Sequence, residues 1–276
     1  TNPSFIFTMS GFTFYEIFRF YYAEIAEKKI PIISWQHGCN YGVSYFTVNK
    51  SPEEKYLDKF LTYGWKEKKN DIPMFIYQKN YPTSKAIKEK ILIVLDGIPF
   101  QNHGFNIYLN NDLYKKNMAI FFDALNKKLK IKLLLKPHPK TDGRNIDNLK
   151  YWRSFKFYKK NFIRIKNDKR SIPLLKRYSR ITVHTTEGTA FYQDISINSP
   201  CIMILKNGLE FIRPAARPLF KMMIKKGIIF EDYKKAAKKI NEIYENVDTW
   251  WESKDVKDMV KLFRNKYARK ESKPIE

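Results

Sequence analysis

Two histidines stand where proton chemistry is easiest to place. His37 follows the apolar run Pro31 to Trp35 in "SWQHGCNYG", residues 34–42, and His138 follows Ile131 to Leu135 in "KIKLLLKPHPKTDGR", residues 130–144. An unperturbed imidazole titrates at about pH 6.5, so it can take a proton from a hydroxyl near neutrality. His37 has Gln36 and Gly38 as neighbours and Tyr41 and Gly42 close behind, and the glycines permit tight turns and close approach of a ligand to the backbone. A lone histidine at a strand end is most often structural. The company His37 keeps is what makes it a candidate base.

His138 sits between Pro137 and Pro139, each of which fixes its own φ and pushes the preceding residue towards extended geometry. That rigidity suits a ligand contact. Lys136, His138, Lys140 and Arg144 together offer several donors to a phosphate, the arginine in a bidentate manner. The competing reading is a stiff surface turn with ordinary lysines.

A third cluster opens "ITVHTTEGTAFYQDISINSPCIMIL", residues 181–205. Either Thr185 or Thr186 is suited to cap a helix, Thr189 falls on its first turn, and Gly188 admits a ligand closely. Free amides at the helix start would receive phosphate oxygens. Glu187 is placed to accept from a ribose or sugar hydroxyl, or simply to complement the helix dipole. The loop "DGIPFQNHG", residues 96–104, borders the same region, although His103 has no evident partner. No GxGxxG, P-loop, HExxH or DxD pattern occurs. The usual dinucleotide, kinase and zinc-protease readings fall away, and neither a metal site nor a cofactor is expected.

These clusters need elements to hold them. Short apolar runs alternate with amphipathic segments, the pattern of a parallel α/β sheet. Strands are predicted at Ser4 to Thr8, Pro31 to Trp35, Phe60 to Tyr63, Ile91 to Leu95, Ile131 to Leu135, Phe162 to Ile165, Ile181 to His184 and Cys201 to Leu205. Helices are predicted at Phe12 to Lys28, Asn111 to Lys130, Ile172 to Tyr178, Glu187 to Ser196, Tyr233 to Glu245 and Thr249 to Ala268, with a short one between Lys50 and Lys59. The charged stretch Lys66 to Lys90, with Pro73 and Pro82, marks a boundary. The expected fold is α/β, with two Rossmann-like domains facing a cleft: 1–85 as the later part of an N-terminal domain incomplete at its beginning, 86–230 as the donor domain, and 231–276 as helices packing across both. Ligands of such sheets bind outside the carboxyl ends of the strands.

With 276 residues, 43% of them hydrophobic, the chain can bury a sizeable core and is far from the disordered class. Cys39 and Cys201 are distant and suggest neither a disulfide scaffold nor a zinc site. A cytoplasmic setting is expected. Lys plus Arg number 52 against 28 Asp plus Glu, a formal charge of +24 that favours anionic partners. The lysines are spread along the chain, which fits a solvated surface better than a nucleic-acid arm.

Taken together, the clusters resemble the LIC-type surface-carbohydrate transferases. The shared elements are Gln36-His37-Gly38, Tyr41-Gly42, Tyr63-Gly64-Trp65 and His184-Thr185-Thr186-Glu187-Gly188-Thr189. The chain is more distantly similar to teichoic-acid glycerophosphotransferases and to capsule Kdo and polysialic acid transferases. The resemblance implies a GT-B-like fold and a nucleotide-activated donor, CMP- or CDP-linked in those relatives, with a glycan or lipid-linked acceptor and a peripheral contact with the inner membrane face. It implies His37 as catalytic base, Lys136 and His138 on the donor phosphate, and Thr185, Thr186 and Thr189 beside it. Lys136-Pro137-His138-Pro139 stands where those transferases usually have Arg-x-Tyr-Pro, and the donor is left open. A UDP-sugar GT-B transferase or epimerase is the alternative enzyme. A basic nucleic-acid or membrane-surface binding protein is the alternative of another class.

Overall fold

The computed structural model describes residues 3–9, 11, 15–38, 41–45, 56–77, 87–97, 111–138, 150–152 and 170–271. Their secondary structure is two parallel sheets in series. The first has the order β1 (Ile6–Thr8), β2 (Ile32–Trp35), β3 (Lys59–Thr62) and β4 (Asp71–Pro73), with helix α1 (Glu16–Glu27) between its first two strands. Ile6 pairs with Ile32, Ile33 with Lys59 and Phe60 with Asp71, all in parallel. β4 lies within the charged stretch where a boundary was expected. Asp71 explains it: its carboxylate accepts from the amides of Glu67 and Lys68 at 2.8 and 2.7 Å, making a local turn that delivers the chain alongside β3.

The second sheet holds β5 (Lys90–Val94), β6 (Leu133–Lys136), β7 (Ser179–His184), β8 (Cys201–Ile204) and β9 (Ile229–Phe230), in the order β6-β5-β7-β8-β9. Helices α2 (Asn111–Ala124), α3 (Lys127–Lys130), α4 (Ile172–Lys176), α5 (Thr189–Ser196), α6 (Arg217–Lys225), α7 (Tyr233–Ile243), α8 (Val247–Trp251) and α9 (Lys254–Tyr267) connect and cover its strands. β8 is buried throughout, as expected of a parallel strand covered on both faces. Its alternate residues separate cleanly: Ile202 and Ile204 join Tyr114, Met118, Phe121 and Phe122 of α2 and the inner face of α7, while Cys201 and Met203 join α5, α6 and α9. The second of these cores is continuous with Ile32 and Phe60 of the first sheet and with Trp65, just past β3.

Several expected bounds shift for local reasons. Ile131 is 75% exposed, so β6 begins two residues later, and the helix predicted to Lys130 breaks at Leu125 and Asn126. β9 and α6 were not anticipated; β9 is only two residues long, and α6 starts beside Pro218 at its first turn. The strand expected at Phe162 to Ile165 lies outside the described residues, as does most of the helix expected from Lys50. Lys59, its expected last residue, opens β3. No helix among the described residues is long and apolar enough to cross a membrane.

Candidate active site

β5 and β7 are neighbours, and the chain leaves them towards opposite sides of the sheet. This is the switch point where open α/β sheets leave a crevice at their carboxyl ends. The residues that follow each strand are polar: Asp96 after β5, Lys136 to His138 ending β6, Thr185 to Gly188 after β7, Lys206 after β8. A buried line of hydrogen bonds ties this edge together. The Asp96 amide donates to Tyr114 Oη at 3.0 Å, Tyr114 Oη lies 2.5 Å from Thr185 Oγ1, and Thr185 Oγ1 donates to the Val94 carbonyl at 3.0 Å. Because the last donor is fixed, Tyr114 must donate to Thr185, and every proton in the line is used.

The expected caps are corrected here. Thr185 is fully buried and bonded to β5, while the residue capping α5 is Gly188, in extended backbone, with Thr189 as the first helical residue. Thr186 Oγ1 points to Glu187 Oε2 at 3.4 Å. Glu187 is itself 9% exposed, and its carboxyl is pushed up to about 7. Burial is the main cause, opposed by its own backbone amide, reinforced by Asp96 and opposed again by Lys206 and Thr186. A carboxyl protonated more readily folded than unfolded favours the folded state most at low pH. That contribution is complete below the unfolded value, about 4.3, and is lost as pH rises through 7. Glu187→Gln should therefore gain stability relative to the parent between pH 5 and 8, read from thermal midpoints across that range. A constant difference would contradict this.

His37 and Gly38 come from the first sheet. Gln36 is buried and fixes them: its amide donates to the Leu61 carbonyl, its Nε2 to the Gly38 carbonyl at 2.6 Å, and its Oε1 accepts from the Tyr63 amide at 3.0 Å and Trp65 Nε1 at 2.9 Å. Gln36-His37-Gly38 and Tyr63-Gly64-Trp65 are thus one unit. Gly42, at φ +69°, completes it, since a Cβ there would stand 2.5 Å from the Trp65 ring. Left-handed backbone alone costs an L-residue about 1–2 kcal/mol, and the ring would have to move as well. Gly42→Ala should destabilise by about 2 kcal/mol or more in urea unfolding.

The His37 ring is half-buried, with Nδ1 3.3 Å from Tyr41 Oη and the two rings edge to face at 5.8 Å. Desolvation lowers its pKa, so the neutral form dominates at pH 7. A Cβ built on Gly38 would have Thr189 Oγ1 at 3.8 Å as its nearest neighbour. The His37 loop therefore abuts the start of α5, bringing the first and third clusters together across some 150 residues of chain.

The second cluster lies on the far side of β5. Lys136 pairs in register with Val94, and its Nζ donates to the Arg170 carbonyl at 2.8 Å; His138 is exposed beyond it. β6 and β7 are two strand spacings apart, about 10 Å. Lys140 and Arg144 lie outside the described residues.

Behind the edge is a buried ionic clamp. Asp194 of α5 accepts from His184 Nε2 at 2.9 Å and from the Lys176 ammonium, with Cys201 close by. Burial would raise the Asp194 carboxyl, but Lys176 and His184 together hold it below the usual carboxylate value. His184, Asp194 and Cys201 offer atoms within 4.8 Å of one another, the spacing of a metal triad, yet Lys176 already supplies the positive charge that a cation would bring. We read the clamp as the anchor of the Thr185 to Thr189 turn.

Asp96 opens the loop 96–104 already placed beside this region, whereas Lys206, Tyr114 and Tyr233 have no part in the sequence reading of the site. The rule that found His37 and His138, a polar residue directly after an apolar strand, applies equally to Asp96 in "ILIVLDG" and Lys206 in "CIMILKNG". The two tyrosines come from helices and carry no such signal.

Polar groups gathered at the switch point of a parallel α/β sheet, with a half-buried histidine delivered from beside a neighbouring parallel sheet, make the strand ends the candidate site of this α/β chain. A family model described as LIC12162 family transferase matches residues 1–276. The chain belongs to that family and is a transferase. A search of curated proteins returned no match.

Proposed function

We propose that the chain moves a sugar or polyol-phosphate group from a nucleotide-activated donor, CMP- or CDP-linked, to a cell-surface glycan acceptor, and that its two sheets belong to facing GT-B-like domains, divided near residue 85, with residues 231–276 packing across them. The observation that carries this is the closeness of Gly38 to Thr189, whose Oγ1 would lie 3.8 Å from a Cβ placed on the glycine. It sets a histidine able to act as base beside a helix start able to hold phosphate.

In this reading the neutral His37 takes the acceptor hydroxyl's proton at Nε2, which requires the tautomer whose Nδ1–H donates to Tyr41 Oη. The freed oxygen attacks the donor's reactive centre, and the bond from that centre to the nucleotide phosphate breaks. Lys136, His138 and the amides at Gly188 and Thr189 receive the charge that builds on the departing phosphate. Lys140 and Arg144 extend the same basic set along the chain. Gln36, Gly38 and Tyr41 hold the base in place.

Thermal shifts with CMP, CDP and UDP test the reading. Stabilisation by the cytidine nucleotides above UDP supports it; stabilisation by UDP alone supports a UDP-sugar enzyme instead. Binding only to polyanions, falling steeply with salt and indifferent to His37 and His138, would make the chain a basic binding protein.

A further inference from the structure

Around Glu187 stand polar groups that phosphate binding leaves unused. Asp96 lies two residues past β5, Lys206 two past β8, and Tyr233 opens α7 three residues past β9, so all three stand at the carboxyl end of the second sheet. Lys206 Nζ lies 3.0 Å from Asp96 Oδ2 and 4.5 Å above the Tyr114 ring, with its side chain only 7% exposed. Its charge is therefore spent on Asp96, and with Glu187 added the corner carries no net positive charge. It is unsuited to phosphate.

Tyr233 is buried at the same end of the sheet. It is 6% exposed, and its Oη is buried with no hydrogen-bond partner among the described residues. The carboxyl groups of Asp96 and Glu187 both lie near enough to act on it, adding to the burial that raises its pKa. A buried phenol within electrostatic reach of two carboxyl groups, its hydroxyl unmatched among the described residues, is an unfilled position. The corner thus offers a carboxylate that accepts, a phenol that donates or accepts, and in Glu187 a carboxyl that near neutrality exists in both forms.

The complement of such a set is two adjacent hydroxyls, each a donor and an acceptor. We propose that Asp96, Glu187 and Tyr233, with Lys206 holding Asp96 in place, form a subsite for a vicinal diol of the donor. The inference rests on the donor reading above. The diol is that of the nucleotide's ribose or of the transferred sugar or polyol.

The experiment is titration calorimetry of the whole chain with two ligand sets: CMP and UMP beside their 2′,3′-dideoxy forms, and CDP-glycerol and UDP-glucose beside CDP and UDP. A diol held by these groups should bind about 10- to 100-fold more tightly than the counterpart without it. Loss in the dideoxy forms assigns the diol to ribose; a gain of CDP-glycerol or UDP-glucose over the plain diphosphates assigns it to the transferred group. Asp96→Asn and Tyr233→Phe should cut whichever preference appears to about 3-fold or less. Tyr233→Phe removes only an unpaired hydroxyl, so its folding should be intact. Nucleotide binding indifferent to the hydroxyls, or a preference kept by both variants, overturns the subsite alone. If no nucleotide binds, the donor reading falls and the subsite with it.

Discussion

His37→Ala should slow transfer by about 10²- to 10⁴-fold, the usual contribution of a positioned general base. The half-buried ring and its Tyr41 partner imply a particular pH signature as well. Because desolvation lowers the His37 pKa, the acid limb of the kcat/KM profile should have its midpoint below about 6.5, the rate rising as the ring loses its proton. His37→Ala should lose that limb. Tyr41→Phe should retain most of the activity but move the midpoint, since the proposed part of its hydroxyl, 3.3 Å from His37 Nδ1, is to hold the ring. Full activity in His37→Ala, or an acid limb unchanged by it, would show that the base is elsewhere.

Asp194→Ala should have the largest effect on stability. The substitution leaves Lys176 and His184 buried without the carboxylate that neutralises one and orients the other. Breaking a buried pair from one side costs about 3–5 kcal/mol. The pH dependence follows from the direction of the shift. Folded Asp194 is held below its unfolded value, about 3.9, so its contribution is present above that value and is lost as pH falls through the lower folded one. Urea unfolding of Asp194→Asn should show a deficit at pH 7 that narrows as pH falls through and below 4. A loss under about 1 kcal/mol for Asp194→Ala at pH 7 would place the clamp among ordinary surface pairs.

Much of this architecture was legible because parallel strands buried on both faces read as unbroken apolar runs. "ILIV" at 91–94 and "CIMI" at 201–204 could hardly be anything else. The two-residue β9 and the three-residue β4 carry too little pattern to be seen; each exists because a neighbouring strand offers an edge. The cap of α5 was misplaced for a comparable reason. Thr185 has the right chemistry for a helix start, but its hydroxyl is claimed by Val94 and Tyr114, distant in sequence and adjacent in space. Gln36 shows the opposite case. Its place beside His37 drew attention to it, but only the fold reveals that its amide joins two motifs separated by nearly thirty residues.

In the proposed reaction two histidines, one after a strand of each sheet, divide the labour, His138 holding donor phosphate and His37 serving as base. Calorimetric titration of CDP into the parent chain, His138→Ala and His37→Ala separates the two roles. Affinity should fall in His138→Ala and stay close to the parent's in His37→Ala. Affinity lost in His37→Ala and kept in His138→Ala would contradict the assignment.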